Sequence, residues 1–232
     1  MALAVATNRH PTRLIAWLAF VFVLTSLNYV GRFAGGDTPD DIAYQWTSSI
    51  AAVVQFGLML GILLLIATGL SKRELFALRR PESWKRSLVL AGASLLAIYA
   101  VSAAYSGLLS LFGNFDATDE QGLVPKGWDS SRAAPFVAFF LVVTLLAPVV
   151  EELTYRGLGI SLLTPYGTVL AIGVTGVLFG LTHGLLIGLP VLAVFGVVVG
   201  WLRVKTDSVY PGMILHGTFN GVALIAAVSG IV

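Results

Sequence analysis

Residues 134–156 read APFVAFFLVVTLLAPVVEELTYR, an apolar run that ends in two adjacent glutamates and an arginine. A helix needs about 20 apolar residues to cross the hydrocarbon core of a bilayer. A charge near the middle of such a helix costs roughly 2.5–3.5 kcal/mol on insertion scales. The stretch therefore places the chain in a membrane and asks what Glu151, Glu152 and Arg156 do there. Working outward, comparable runs at 14–34, 48–70, 87–112, 167–187, 188–204 and 209–231 bring the count to about seven, within a range of six to eight. Backbone exposed to lipid must bond within its own segment, so runs of this length are helices. The alternating ten-residue strands of a membrane barrel are missing from the pattern. The expected fold is all-α, a polytopic transmembrane helix bundle.

Composition agrees. Of the 232 residues 57% are hydrophobic and 11% charged, against about 25% charged in a soluble domain. A net charge of +2, with the basic residues in short clusters between apolar runs, bears on membrane orientation and excludes nucleic acid as a partner. With no cysteine, neither a disulfide framework nor a thiolate metal site is available, and any chemistry uses carboxylates, imidazoles or hydroxyls.

Charge also orients the spans. The segment Ser71 to Ser87 holds six Lys or Arg against Glu74 and Glu82, which the positive-inside rule assigns to the cytoplasm. The loops carrying Asp37, Asp40 and Asp41, and Asp116, Asp119, Glu120 and Asp129, then lie outside. This predicts a multi-pass protein of the cell membrane with a cytoplasmic N-terminus. Arg9 and Arg13 precede the first run as they would in a signal peptide, but the run is long and no convincing cleavage site follows, so an uncleaved anchor is expected. The loop Gly113 to Pro135 divides one integral membrane domain into an anchor half, 1–133, and a catalytic half, 134–232.

After Arg132 the charged residues are Glu151, Glu152, Arg156, Arg203, Lys205 and Asp207. The last three are expected in a solvated turn between spans six and seven. Glu152 and Arg156 share a helix face in the favourable order for an ion pair, while Glu151 projects about 100° away and is expected to stay unpaired, as a general base requires. Pro148, one turn earlier, should open the helix by removing a backbone hydrogen bond. His183 and His216 fall within or at the ends of apolar runs, Phe179 one turn before the first and Asn220 one turn after the second. Each pair shares a helix face.

Three elements thus occur in order: E-E-x-x-x-R at Glu151–Arg156, F-x-x-x-H at Phe179–His183 and H-x-x-x-N at His216–Asn220. Together they resemble the CAAX-protease and bacteriocin-processing family of intramembrane endopeptidases, over roughly Phe136 to Gly230. The resemblance implies hydrolysis of a peptide bond in or beside the membrane. Glu151 would activate water, His183 would assist, His216 and Asn220 would donate to the oxyanion, and Glu152, Arg156 and Phe179 would support them. The substrate would be a membrane-associated peptide or protein, lipidated in the prenyl-processing members. No cofactor is expected. The alternative is a divalent metal such as zinc on Glu151, His183 and His216, since two imidazoles and a carboxylate form hydrolytic zinc sites. An H-E-x-x-H helix is missing. A non-catalytic interaction or bacteriocin-immunity factor would use the same polar cluster to staple the bundle, and a proton-coupled transporter would show repeats or broken-helix pairs that this sequence lacks.

One tension is internal to this reading. If span five starts at Gly167 on the cytoplasmic side, His183 lies about 24 Å along it, away from Glu151 and His216 in the cytoplasmic half. A re-entrant segment over 157–166 or a strong tilt of span five would reconcile them.

Overall fold

The structure, a computed structural model, describes residues 9–34, 41–113 and 127–230. Among these residues every regular element is helical. Seven helices carry the chain: α1 (Pro11–Ala34), α2 (Trp46–Ile66), α3 (Trp84–Ser110), α4 (Ser130–Tyr166), α5 (Thr168–Thr182), α6 (Leu189–Thr206) and α7 (Tyr210–Val228). All but α5 are long and apolar enough to cross a membrane, and α5 is a shorter apolar helix. The protein is a multi-pass helical bundle with the expected number of spans. Asp37, Asp40, Asp116, Asp119 and Glu120, on which the outer loops were assigned, lie outside the described residues.

The fourth span departs from its expected bounds. Instead of ending at Arg156, α4 continues to Tyr166. Leu158, Ile160, Leu162 and Leu163 are buried, and backbone at that depth keeps its hydrogen bonds by staying helical. The chain turns only at Gly167, whose φ of +135° suits a residue without a Cβ. Neither re-entry nor a special tilt is needed. Glu151 lies sixteen residues before Gly167 and His183 sixteen after it, about 24 Å of helix each way, so the antiparallel hairpin returns His183 to the level of Glu151.

Within α4 two stretches, Val142–Leu146 and Leu153–Gly159, widen into π-helix. Pro148 accounts for the first. The Ala147 N–H reaches back five residues to the Val142 carbonyl. The next donor would be residue 148, which has no N–H, so the Val143 carbonyl loses its helical partner.

Glycines set how closely the helices cross. A Cβ on Gly196 of α6 would fall 2.5 Å from the Gly176 carbonyl of α5, and one on Gly180 would fall 3.0 Å from the Ala193 nitrogen. Small residues let membrane helices approach backbone to backbone. On the other side of α4, a Cβ at Gly159 would come within 2.5 Å of the Trp17 ring. That ring is fully buried, and its Nε1 donates to the Thr154 carbonyl at 3.0 Å, fixing α1 against α4.

The expected solvated turn at Arg203, Lys205 and Asp207 is corrected in part. Arg203 belongs to α6 and is 1% exposed. Its Nη1 lies 3.2 Å from Asp207 Oδ1, which Arg79 Nη2 also meets at 3.0 Å. The loop before α3 folds over this corner, with the Val209 N–H donating to the Ala77 carbonyl at 3.2 Å. That cover removes Arg203 from solvent, while Lys205 stays exposed.

Candidate active site

Helix α4 supplies the two glutamates in opposite states. Glu152 is fully buried and accepts from Arg156 Nη1 at 2.9 Å, one turn away on the same face. Arg156 is also fully buried, donates through Nη2 to the Gly196 carbonyl at 3.0 Å and lies 4.5 Å over the Phe179 ring. A buried cation needs such partners, because stripping its water costs several kcal/mol. The close α5–α6 crossing puts both the ring and the carbonyl within its reach. Glu151, on the neighbouring face, retains 17% side-chain exposure.

Helix α7 brings His216 between the two carboxylates. Its Nδ1 is 3.1 Å from Glu152 Oε1 and its Nε2 is 3.6 Å from Glu151 Oε2. Glu151 is therefore not without a partner, contrary to the expectation from spacing. The reason is a close crossing that one helix alone does not reveal. A Cβ on Gly212 would sit 2.9 Å from Glu152 Oε2, and Gly217 rests on the Thr144 carbonyl. The two His216 contacts differ in kind, since 3.1 Å is within hydrogen-bonding range and 3.6 Å is beyond it.

The two remaining motif residues each meet a backbone carbonyl. Asn220 Nδ2 donates to the Val143 carbonyl at 2.9 Å, the acceptor that Pro148 leaves without a helical donor. His183 follows the last turn of α5 with its Nδ1 2.7 Å from the Phe179 carbonyl. A carbonyl only accepts, so Nδ1 carries the hydrogen and Nε2 is the free nitrogen. Phe179 ties the set together. Its ring centroid is 4.6 Å from that of His183, 5.6 Å from His216 and 5.4 Å from Phe195. Both histidines rest on it, and no hydrogen bond joins His183 to Glu151 or His216 among the described residues. Likewise, Glu151, His183 and His216 do not form a group that could hold a metal ion among those residues.

Sequence reasoning missed the clamp on His183. The hydroxyls of Thr25 and Thr182 meet at 3.2 Å, Asn28 Nδ2 donates to the Thr182 carbonyl, and Tyr29 donates to the Leu185 carbonyl at 3.4 Å. From α3, Tyr105 donates to the Ile187 carbonyl at 2.9 Å. The run Thr25-Ser26-Leu27-Asn28-Tyr29 inside an apolar span was the available signal. Phe195, whose ring centroid lies 4.9 Å from that of His216, gave none, being one apolar residue among many.

The family model described as type II CAAX prenyl endopeptidase Rce1-like matches residues 133–222. Comparison with curated proteins and with solved structures gave no match. The matched segment starts at the head of α4 and closes just beyond Asn220, so it contains all three motifs and the helices that bring them together. Over that segment this multi-pass protein resembles the Rce1-like type II CAAX prenyl endopeptidases, consistent with the CAAX-protease and bacteriocin-processing family to which its motifs point.

Proposed function

We propose that the protein is an intramembrane endopeptidase that hydrolyses a peptide bond of a membrane-associated peptide or protein, with Glu151 as the residue that activates water. The observation that carries this reading is the contrast between neighbouring glutamates. Glu152 is buried and spent on Arg156 and His216, whereas Glu151 keeps part of its surface open and, among the described residues, has only a long ionic contact to His216.

In this reading the hydrolytic water meets the free side of Glu151. As its oxygen bonds to the scissile carbonyl carbon, the carboxylate takes the proton, then returns it to the departing nitrogen as the C–N bond breaks. A positioned base of this kind contributes about 10²–10⁴ in rate. Glu152 holds His216 by Nδ1, so that Nε2 is presented on the Glu151 side. We assign the oxyanion to side-chain donors of the other motif residues, each worth about 10²–10³. The candidates are His216 and His183, each in its protonated form, and the second N–H of Asn220, whose first is engaged by Val143. The substrate is proposed from the family resemblance as a bilayer-held peptide, prenylated or otherwise anchored. The N-terminus is proposed to face the cytoplasm.

Glu151→Gln tests the reading, because it keeps size and hydrogen bonding and removes the base. Proteomic comparison of membranes containing active or Glu151→Gln protein should reveal a substrate that persists uncut in the variant. Unchanged function at equal abundance would instead favour the non-catalytic interaction factor. Elemental analysis of active protein showing one stoichiometric zinc would move the chemistry to a metal-dependent form.

A further inference from the structure

Between α3 and α6 lies an open apolar cavity of about 400 Å³, lined by Leu90, Ala93 and Ala97 from one helix and Val197 and Trp201 from the other. It is separate from the polar layer around His216. Both lining stripes continue into a cation at the same end. Arg86 precedes Leu90 by one turn on α3, and Lys205 follows Trp201 by one turn on α6. Both are exposed, and Lys205 Nζ sits 5.9 Å over the Trp201 ring. The two ends are neighbours, because Trp84 at the head of α3 stacks on Tyr210 at the head of α7, just past the end of α6, with centroids 6.5 Å apart. Trp and Tyr gather at the headgroup level of membranes.

Length and charge point to one occupant. The lining from Leu90 to Ala97 spans seven residues, about 10 Å of helix, and Arg86 lies one turn beyond it. Within a hydrocarbon core of about 30 Å the groove therefore takes part of a single acyl chain in one leaflet, below a headgroup at the level of Arg86. Residues 72–86 and 203–207 carry eight Lys or Arg against three Asp or Glu. Glu74 and Asp207 are engaged by Arg79 and Arg203, and no ion pair involves Arg86 or Lys205 among the described residues.

We infer that this groove binds an anionic glycerophospholipid, with one acyl chain between α3 and α6 and the phosphate between Arg86 and Lys205. A zwitterionic headgroup brings its own cation to an end already strongly basic, and a bare isoprenoid chain brings no anion. The inference does not depend on the proposed protease activity.

Native mass spectrometry of the full chain in detergent, with phosphatidylglycerol or phosphatidylcholine of identical chains added, provides the test. Phosphatidylglycerol should be retained preferentially. Arg86→Gln with Lys205→Gln should reduce that preference about 25-fold, near fivefold for each cation, the scale of one basic residue at an anionic surface. Lys72→Gln with Arg73→Gln, an equal loss of charge on the loop, should leave the preference unchanged. Ala93→Leu with Ala97→Leu should reduce binding of both lipids by filling the groove. Should that variant fail to fold, the two charge variants still decide the matter. Equal retention of both lipids, an equal effect from the loop variant, or preferential uptake of a neutral farnesyl lipid would overturn the inference.

Discussion

Replacing each of two adjacent glutamates by glutamine should give opposite results, and the structure sets the size of both. In Glu152→Gln the buried Arg156 loses the carboxylate it is paired with, and His216 loses the carboxylate on Nδ1. Removing one member of a fully buried pair costs about 3–5 kcal/mol, because the other charge stays behind without compensation. Set against a total stability of roughly 5–15 kcal/mol, that is a large fraction. For a chain of this size it corresponds to a melting-temperature drop of about 6–20 °C. Glu151 has 17% side-chain exposure and one contact at 3.6 Å, so Glu151→Gln should change stability by no more than about 0.5 kcal/mol while activity falls about 10²–10⁴-fold. Thermal unfolding in detergent and single-turnover cleavage of a membrane-held peptide, measured on both variants, separate the two effects. The double change Glu152→Leu with Arg156→Met should recover most of the stability, since apolar replacement of a buried pair is often neutral or favourable. Equal melting shifts for Glu151→Gln and Glu152→Gln would refute the division of labour between them.

Further outcomes follow from single contacts. Asn220→Ala leaves the Val143 carbonyl without a donor and should cost about 1–3 kcal/mol, read by the same unfolding assay; an unchanged melting temperature would show that the contact contributes nothing. Asn28→Ala frees the Thr182 carbonyl beside His183 and should lower kcat more than it raises KM, by up to about 10²-fold where misplacement approaches 1 Å. The same variant in a Glu151→Gln background should show no additional loss. Asp129, outside the spans, accepts from the Ser131 hydroxyl at 2.6 Å, the Ser131 N–H at 2.9 Å and Arg132 Nε at 2.7 Å. These bonds lower its pKa to about 2, with the Ser131 hydroxyl contributing most. A depressed carboxyl pKa stabilises the fold above pH 3.8 and loses that contribution as the pH falls from about 4 through about 2. Ser131→Ala should move the acid transition upward, followed by the fluorescence of Trp128, whose ring meets Phe136 edge-on at 5.5 Å.

The elements legible in the sequence are those whose cause is local. An apolar run of about 20 residues has helix as its only solution in lipid, whatever its neighbours do. That made the bundle and its number of spans readable. The Glu152–Arg156 pair was readable for the same reason, as both ends lie one turn apart on one helix. Pro148 announced a disturbance in α4, but its resolution required Asn220, seventy-two residues later.

The sequence by itself therefore determined a multi-pass helical membrane protein with three polar motifs in its C-terminal half and a buried ion pair in the first of them. Tertiary structure alone decided that α4 runs on to Tyr166 and returns His183 to the level of Glu151. It also decided that His216 lies between both glutamates, that Asn220 serves the Val143 carbonyl, and that α1 clamps the loop bearing His183. The last three depend on how closely two helices cross, which is fixed by where glycines meet across the interface. A periodicity along one helix carries no information about that distance.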